Sequence, residues 1–308
     1  MYSIEEINHV NPALNQILIK NNELDFQGVI YPNLGASLQR LSSHGIEIID
    51  GITSSEEGLN TYKSKYNSSF LFPFPSRIPN GKYSFNNVDY QLECNEKIMN
   101  NAIHGHIDNE AFSLKQKKVT KNNAVVILSY ANNGTTKGFP FLYQLEVTYI
   151  FTKEKLTIDF TVCNNGKTMF PFGIGWHPYF KSENLSDSSL DFEAEKQYLL
   201  NERLVPKGEI PINYGLPLLV KETFLDDCFI IKKSAVSFKT NEYDITLDFS
   251  SKSPNSFLQV YTPPSRNSIA IEPMTCIGNC FNNNIGLLIL HPDNSYNFQV
   301  NLAYQLKN

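Results

Sequence analysis

The chain has 308 residues, 41% hydrophobic and 19% charged, which is enough apolar surface for a packed core and excludes a disordered chain. Its formal net charge of −5 comes with no basic stripe to neutralise phosphates, which argues against a nucleic-acid partner. Five scattered cysteines include one close pair, Cys276 and Cys280, but no second pair completes a zinc spacing, so free thiols in a reducing compartment are expected.

From the N-terminus, "MYSIEEINHV" has neither a basic nor an apolar leader segment, and no run of 18 apolar residues occurs anywhere. A soluble, cytoplasmic protein without a membrane partner is expected. "SSEEGLNTYKSK" (54–65) predicts a short helix. "AVVILSY" (124–130) predicts a strand, followed by the turn-rich "NNGTTKG". In "YQLEVTYIF" the apolar positions are Tyr143, Leu145, Val147 and Tyr149; in "LTIDFTV" they are Leu156, Ile158, Phe160 and Val162. This is the period of strands with one buried face, and the charged "TKEK" between them predicts a hairpin loop. "SDSSLDFEAEK" (186–196) predicts a second short helix. The two-residue period returns in "YDITLDF" (243–249) and "FQVNLAYQL" (298–306), with shorter strands at "FLQVYT", "IAIEP" and "GLLIL". Many alternating strands, turn-rich connections, no repeat and no linker predict one domain over 1–308, an all-β, large antiparallel sandwich with a few short helices.

Five places carry residues suited to chemistry. "HGHIDNE" sets His104 and His106 two apart, on one face if the segment is a strand, with Glu110 beyond them. That is the spacing of a cupin metal motif, but the glycines that frame such motifs are replaced by Ile98 and Lys117. "GWHPYF" holds His177 before Pro178, which restricts the backbone and aims the ring; Trp176, Tyr179 and Phe180 offer flat faces for a sugar. Glu272 in "IAIEPMT" is a carboxylate at a strand end, able to act as a base if desolvated. Arg77 sits in the stiff "FPFPSRIPNGKYSF", where a guanidinium can fork two hydroxyls. In "LDDCF" one of Asp226 and Asp227 faces inward. No phosphate loop, nucleophile elbow or zincin helix is present.

In order along the chain, "FPSRIPNGKYSF", "NAIHGH", "GWHPYF", "LDDCF", "QVYTP" and "IAIEPMTCIGNCFN" resemble the aldose 1-epimerase (galactose mutarotase) family, from about residue 25 to the C-terminus. The resemblance implies the galactose mutarotase-like β-supersandwich and no cofactor or metal. By position it makes Glu272 the general base and His177 the general acid. His104 becomes a second active-site histidine near the sugar ring oxygen, and Arg77 and Asp226 become substrate-binding residues, Asp227 replacing Asp226 if the register is one off. His106 receives no role. "EPMTCIGNCFN" and "GWHPYF" depart from the wording of the best-known galactose mutarotases, which leaves the sugar open.

The implied reaction interconverts α and β anomers of a glucose- or galactose-type aldose. A base removes the proton of the C1 hydroxyl, an acid protonates the ring oxygen, the C1–C2 bond rotates and the ring recloses. With ordinary pKa values of about 4.3 for Glu and 6.5 for His, an anionic Glu272 beside a cationic His177 is expected. Three alternatives stand beside it. A hexose 6-phosphate 1-epimerase would need a cationic cluster that Lys82 and Arg77 alone do not make. A non-catalytic sugar-binding protein of the same fold would tolerate loss of Glu272. A metal enzyme would use His104, His106 and Glu110.

Overall fold

The long strands decide the layout. In Leu142–Phe151 the residues Tyr143, Leu145, Val147 and Tyr149 are buried, and in Lys155–Cys163 so are Leu156, Ile158, Phe160 and Val162. Each strand therefore has an apolar face that must be covered. The two pair antiparallel, with residues 152–154 as the connection. Tyr243–Ser250 and Ser295–Leu306 continue the pattern beside them, burying Tyr243, Ile245, Leu247, Phe249, Phe298, Val300, Leu302 and Tyr304.

The structure, a computed structural model, describes residues 1–250 and 256–307. Among these, a 15-stranded sheet runs from Ser113–Val119 through the strands above to Asp226–Lys239, Ser256–Tyr261 and Ser268–Met274, and ends at Phe70–Leu71. A five-stranded antiparallel sheet formed by residues 2–47 packs on it. Phe26 meets Phe151 edge-on at 5.9 Å, and the Tyr149 hydroxyl donates to the Ala36 carbonyl (2.7 Å). One hydrophobic cluster extends through both sheets, from Tyr2 to Tyr304. The all-β antiparallel sandwich read from the alternation is the fold observed. No helix among the described residues is long and apolar enough to cross a membrane.

The helix expected at 54–65 is α1, Glu56–Lys65. Ser55 caps it, its hydroxyl accepting from the Gly58 N–H; Glu56 and Glu57 occupy the first turn and Lys63 and Lys65 the last. The helix expected at 186–196 does not form. After a 3-10 turn at Leu185–Asp187 the chain becomes the strand Ser189–Leu200. Leu190 and Phe192 are buried opposite Phe238 and Val236, while Asp191 and Glu193 are exposed. A buried face of period two and long-range pairing outweigh the local helical preference of the acidic residues.

Register sets which side chains share a face at the sheet's functional end. Asp226 lies opposite Tyr261, Tyr261 opposite Ala270, and Gln259 opposite Glu272. Side chains alternate along a strand, so Asp226, Tyr261, Gln259 and Glu272 stand on one side. Phe229, Leu258, Val260 and Ile271 stand on the other, inside the core. Tyr179, paired with Ala270, joins the polar side. Two carboxyl groups, Asp226 and Glu272, thus project from a sheet whose other face is apolar core.

Candidate active site

The C-terminal end of α1 (63–66) and the segments around residues 76–77, 95–96 and 103–104 line a cavity of about 430 Å³ over this polar face. Arg77, His104, His177, Asp226 and Glu272 all line it. A wider groove of about 990 Å³ elsewhere, along residues 153–155, 237–246 and 303–306, contains none of the five.

Glu272 is 2% exposed. It lies within the strand Ser268–Met274, not at its end as the following proline had suggested; Pro273 continues that strand. The His177 Nε2 is 3.4 Å from the Glu272 Oε1, and the histidine is 6% exposed. The backbone of His177 is held on both sides: its N–H donates to the Ser69 carbonyl (3.0 Å) and its carbonyl accepts from the Ser68 N–H (2.8 Å). The ring stacks on Tyr179 (centroids 5.1 Å apart, 25° between planes) and meets His104 edge-on at 5.3 Å. Among the described residues its Nδ1 has no hydrogen-bond partner. Of the three aromatic neighbours, only Tyr179 lines the cavity. Trp176 and Phe180 are fully buried, and the Trp176 indole N–H donates to the Ser68 carbonyl (3.2 Å), so their role is to hold the segment rather than to stack on a ligand.

The protonation expected from ordinary pKa values is reversed. Burial, reinforced by Asp226 and only partly opposed by Arg77, pushes the Glu272 carboxyl well above its usual range. Burial lowers His177 to about 4. At 3.4 Å the ion pair would gain about 5 kcal/mol at an effective dielectric near 20, whereas desolvating each ion costs several kcal/mol. Burial therefore favours neutral Glu272 beside neutral His177 in the free pocket. The same shifts make Glu272 a stronger base and His177 a stronger acid once a proton crosses between them. That transfer needs no proton from solvent.

His104 adopts a left-handed backbone (φ +62°), followed by Gly105 at +75°. A Cβ on Gly105 would lie 2.0 Å from the Phe72 carbonyl oxygen, so the close approach of the two chains requires glycine. The Ser76 N–H donates to the His104 Nδ1 (3.2 Å). Nδ1 is thus the acceptor, and the neutral ring carries its proton on Nε2. Burial, His177 and Arg77 hold that ring neutral, well below the usual histidine range. Tyr66, the left-handed residue ending α1, packs against it at 4.8 Å.

The same turn sends His106 away, against the expectation that the two histidines share a face. Its Nε2 is 2.9 Å from the Tyr143 hydroxyl and it does not line the cavity. No cluster of three or more potential metal ligands occurs among the described residues. Burial lowers His106 to about 4. The folded state thus resists a proton that the unfolded chain accepts below about 6.5, so stability present above that value is lost as pH falls. In urea denaturation, wild type relative to His106→Gln is expected to lose up to about 1.4 kcal/mol per pH unit from pH 6.5 toward 4. Parallel pH dependences would show that His106 is not the group responsible.

Asp226 accepts from the Gln259 amide (2.8 Å) and lines the cavity. Asp227 takes the opposite side of the strand, bonded to Gln197 and to the Tyr214 hydroxyl (3.0 Å). Of the two aspartates left open by the sequence, Asp226 is the one at the site. The sequence reading missed Gln259, Tyr261, Tyr66 and Glu96, which also line the cavity. Gln259 had a signal, since "QVYTP" is a strand beside "IAIEP"; Glu96 had none, because its partner is chosen by tertiary contact.

The family model for aldose 1-epimerase matches residues 16–303, and the chain belongs to that family. An uncharacterized Escherichia coli protein, YihR, is 26% identical over 284 residues, 89% of each chain. A galactose mutarotase-like protein from Clostridium acetobutylicum superposes with a TM-score of 0.85 at 20% identity, covering 100% of this chain and 99% of that one. The galactose 1-epimerase of Lactobacillus acidophilus gives 0.78 at 16% identity, with coverage of 100% and 99%. At these identities the structural likeness establishes the galactose mutarotase-like fold.

Proposed function

We propose that the protein is an aldose 1-epimerase that interconverts the α and β anomers of a hexose by acid–base ring opening and reclosure, without a cofactor. The observation that carries this reading is the 3.4 Å approach of His177 Nε2 to Glu272 Oε1 on the wall of a cavity of about 430 Å³. Once the Glu272 proton has passed to His177, the Glu272 carboxylate removes the proton of the C1 hydroxyl as the His177 imidazolium protonates the ring oxygen. The open aldehyde rotates about C1–C2, and the two groups reverse their transfers to close the ring on either face. His104 donates through Nε2 to an oxygen near the anomeric centre. Arg77 and Asp226 hold hydroxyls that do not react.

The test is polarimetry on freshly dissolved α-D-glucose, α-D-galactose and glucose 6-phosphate, with and without a chelator. Accelerated relaxation of an unphosphorylated hexose, insensitive to chelator, is expected. Acceleration of the phosphate ester alone would point to the exposed Lys63 and Lys65 at the cavity mouth. Relaxation no faster than in buffer with all three would leave a sugar-binding protein. Asp226→Asn is expected to raise KM about tenfold with a smaller change in kcat, since it removes binding to a non-reacting hydroxyl; a loss confined to kcat would assign Asp226 to the chemistry.

A further inference from the structure

Arg77 is itself gripped by another residue. Its Nε lies 3.0 and 3.1 Å from the two Glu96 carboxylate oxygens, and its Nη2 lies 2.9 Å from Oε1. Both side chains are largely buried at the cavity wall, 17% and 19% exposed. Glu96 is held in turn. The Asn101 amide donates to its Oε2 (2.6 Å), and the two backbones exchange hydrogen bonds of 3.1 and 3.2 Å that close the loop 97–100. Asn101 is fully buried, and its side-chain oxygen accepts from Arg203 Nη2 (2.7 Å). Arg203 also donates to the carbonyls of Met99 (3.1 Å) and Asn100 (2.9 Å). A built chain of contacts thus runs Arg203–Asn101–Glu96–Arg77 and ends in the cavity.

We propose that Glu96 is a positioning and specificity residue: it fixes the Arg77 fork and cancels its charge, so that Arg77 serves sugar hydroxyls and does not recruit a phosphate or carboxylate. The inference rests on the sugar-binding role proposed for Arg77. An unpaired, half-desolvated guanidinium is the usual receptor for a bidentate anion. Here the Nε and Nη2 edge is already taken by a carboxylate, and a ligand meets a neutral pair whose remaining N–H groups still donate. Asp226, on the sheet that faces Arg77 across the cavity, is a second carboxyl group that interacts with the same guanidinium. A clamp that only stabilised the loop would be indifferent to the charge of the ligand.

The experiment compares wild type, Glu96→Gln and Glu96→Asp in anomerisation kinetics, with inorganic phosphate as the competing anion and thermal denaturation as the fold control. For Glu96→Gln, KM is expected to rise about tenfold with kcat changed less, and competitive inhibition by phosphate is expected to strengthen about tenfold. Glu96→Asp keeps the charge with a shorter reach, so it should raise KM without gaining phosphate sensitivity. A folded Glu96→Gln protein with wild-type KM, or with unchanged phosphate sensitivity, overturns the proposal. Should Glu96→Gln fail to fold, Glu96→Asp with an unchanged KM does the same. If wild type turns over no aldose, the proposed activity fails separately. Phosphate titration by calorimetry of wild type against Glu96→Gln still tests Glu96, and equal affinities overturn its role.

Discussion

Glu272→Gln is expected to lower kcat for anomer interconversion by ~10²–10⁴-fold or more while the protein remains folded. The amide preserves the size and the place of the side chain opposite Gln259 on the apolar-backed sheet, so the geometry of the wall persists. What disappears is the buried carboxylate beside His177 whose basicity the pocket has raised. The change also removes an ionisable group from a buried position, so thermal stability at neutral pH should be equal or higher. Initial rates by polarimetry and a melting curve on the same sample check both halves. A normal rate in the folded variant would take the base role away from Glu272.

His177→Asn is expected to produce a loss of similar size, again ~10²–10⁴-fold in kcat. Its backbone clamp to Ser68 and Ser69 does not depend on the imidazole, so the segment should hold its course. With Glu272 raised and His177 lowered by burial, the two side chains together carry one proton across the working range. Below about 4 the pair gains a second proton on His177, and above the raised value of Glu272 it loses the one it shares. Activity of the wild type should therefore follow a bell. Its acid limb lies near 4, and its basic limb lies well above the ordinary carboxylate range. The variant should lose the acid limb together with the rate. An unchanged acid limb would place the acid elsewhere.

The fold was legible where burial is one-sided. Strands such as Leu142–Phe151 and Tyr243–Ser250 face the core with every second residue, and that period is local. Ser189–Leu200 was not legible, because only Leu190 and Phe192 carry the period and the rest of its length is held by pairing with Asp226–Lys239 across two register shifts. The positions 77, 104, 177, 226 and 272 could be picked out in advance from the order of motifs, and all five meet at one cavity. Their protonation could not, since it follows from desolvation that only the packed structure imposes. Trp176 shows the same limit from the other side. An indole beside a histidine suggests a stacking surface, yet the pairing of Gly175–Trp176 with Phe70–Leu71 carries it into the core.

The proposed chemistry requires that Glu272 and His177 act in one step on one sugar. Anomer exchange of a hexose measured by NMR at equilibrium, for wild type, both single variants and the Glu272→Gln/His177→Asn double variant, tests this most directly. Residues acting as a unit are strongly non-additive, so the double variant should lose about as much as the worse single variant. Losses that multiply, or rapid exchange surviving in either single variant, would contradict it.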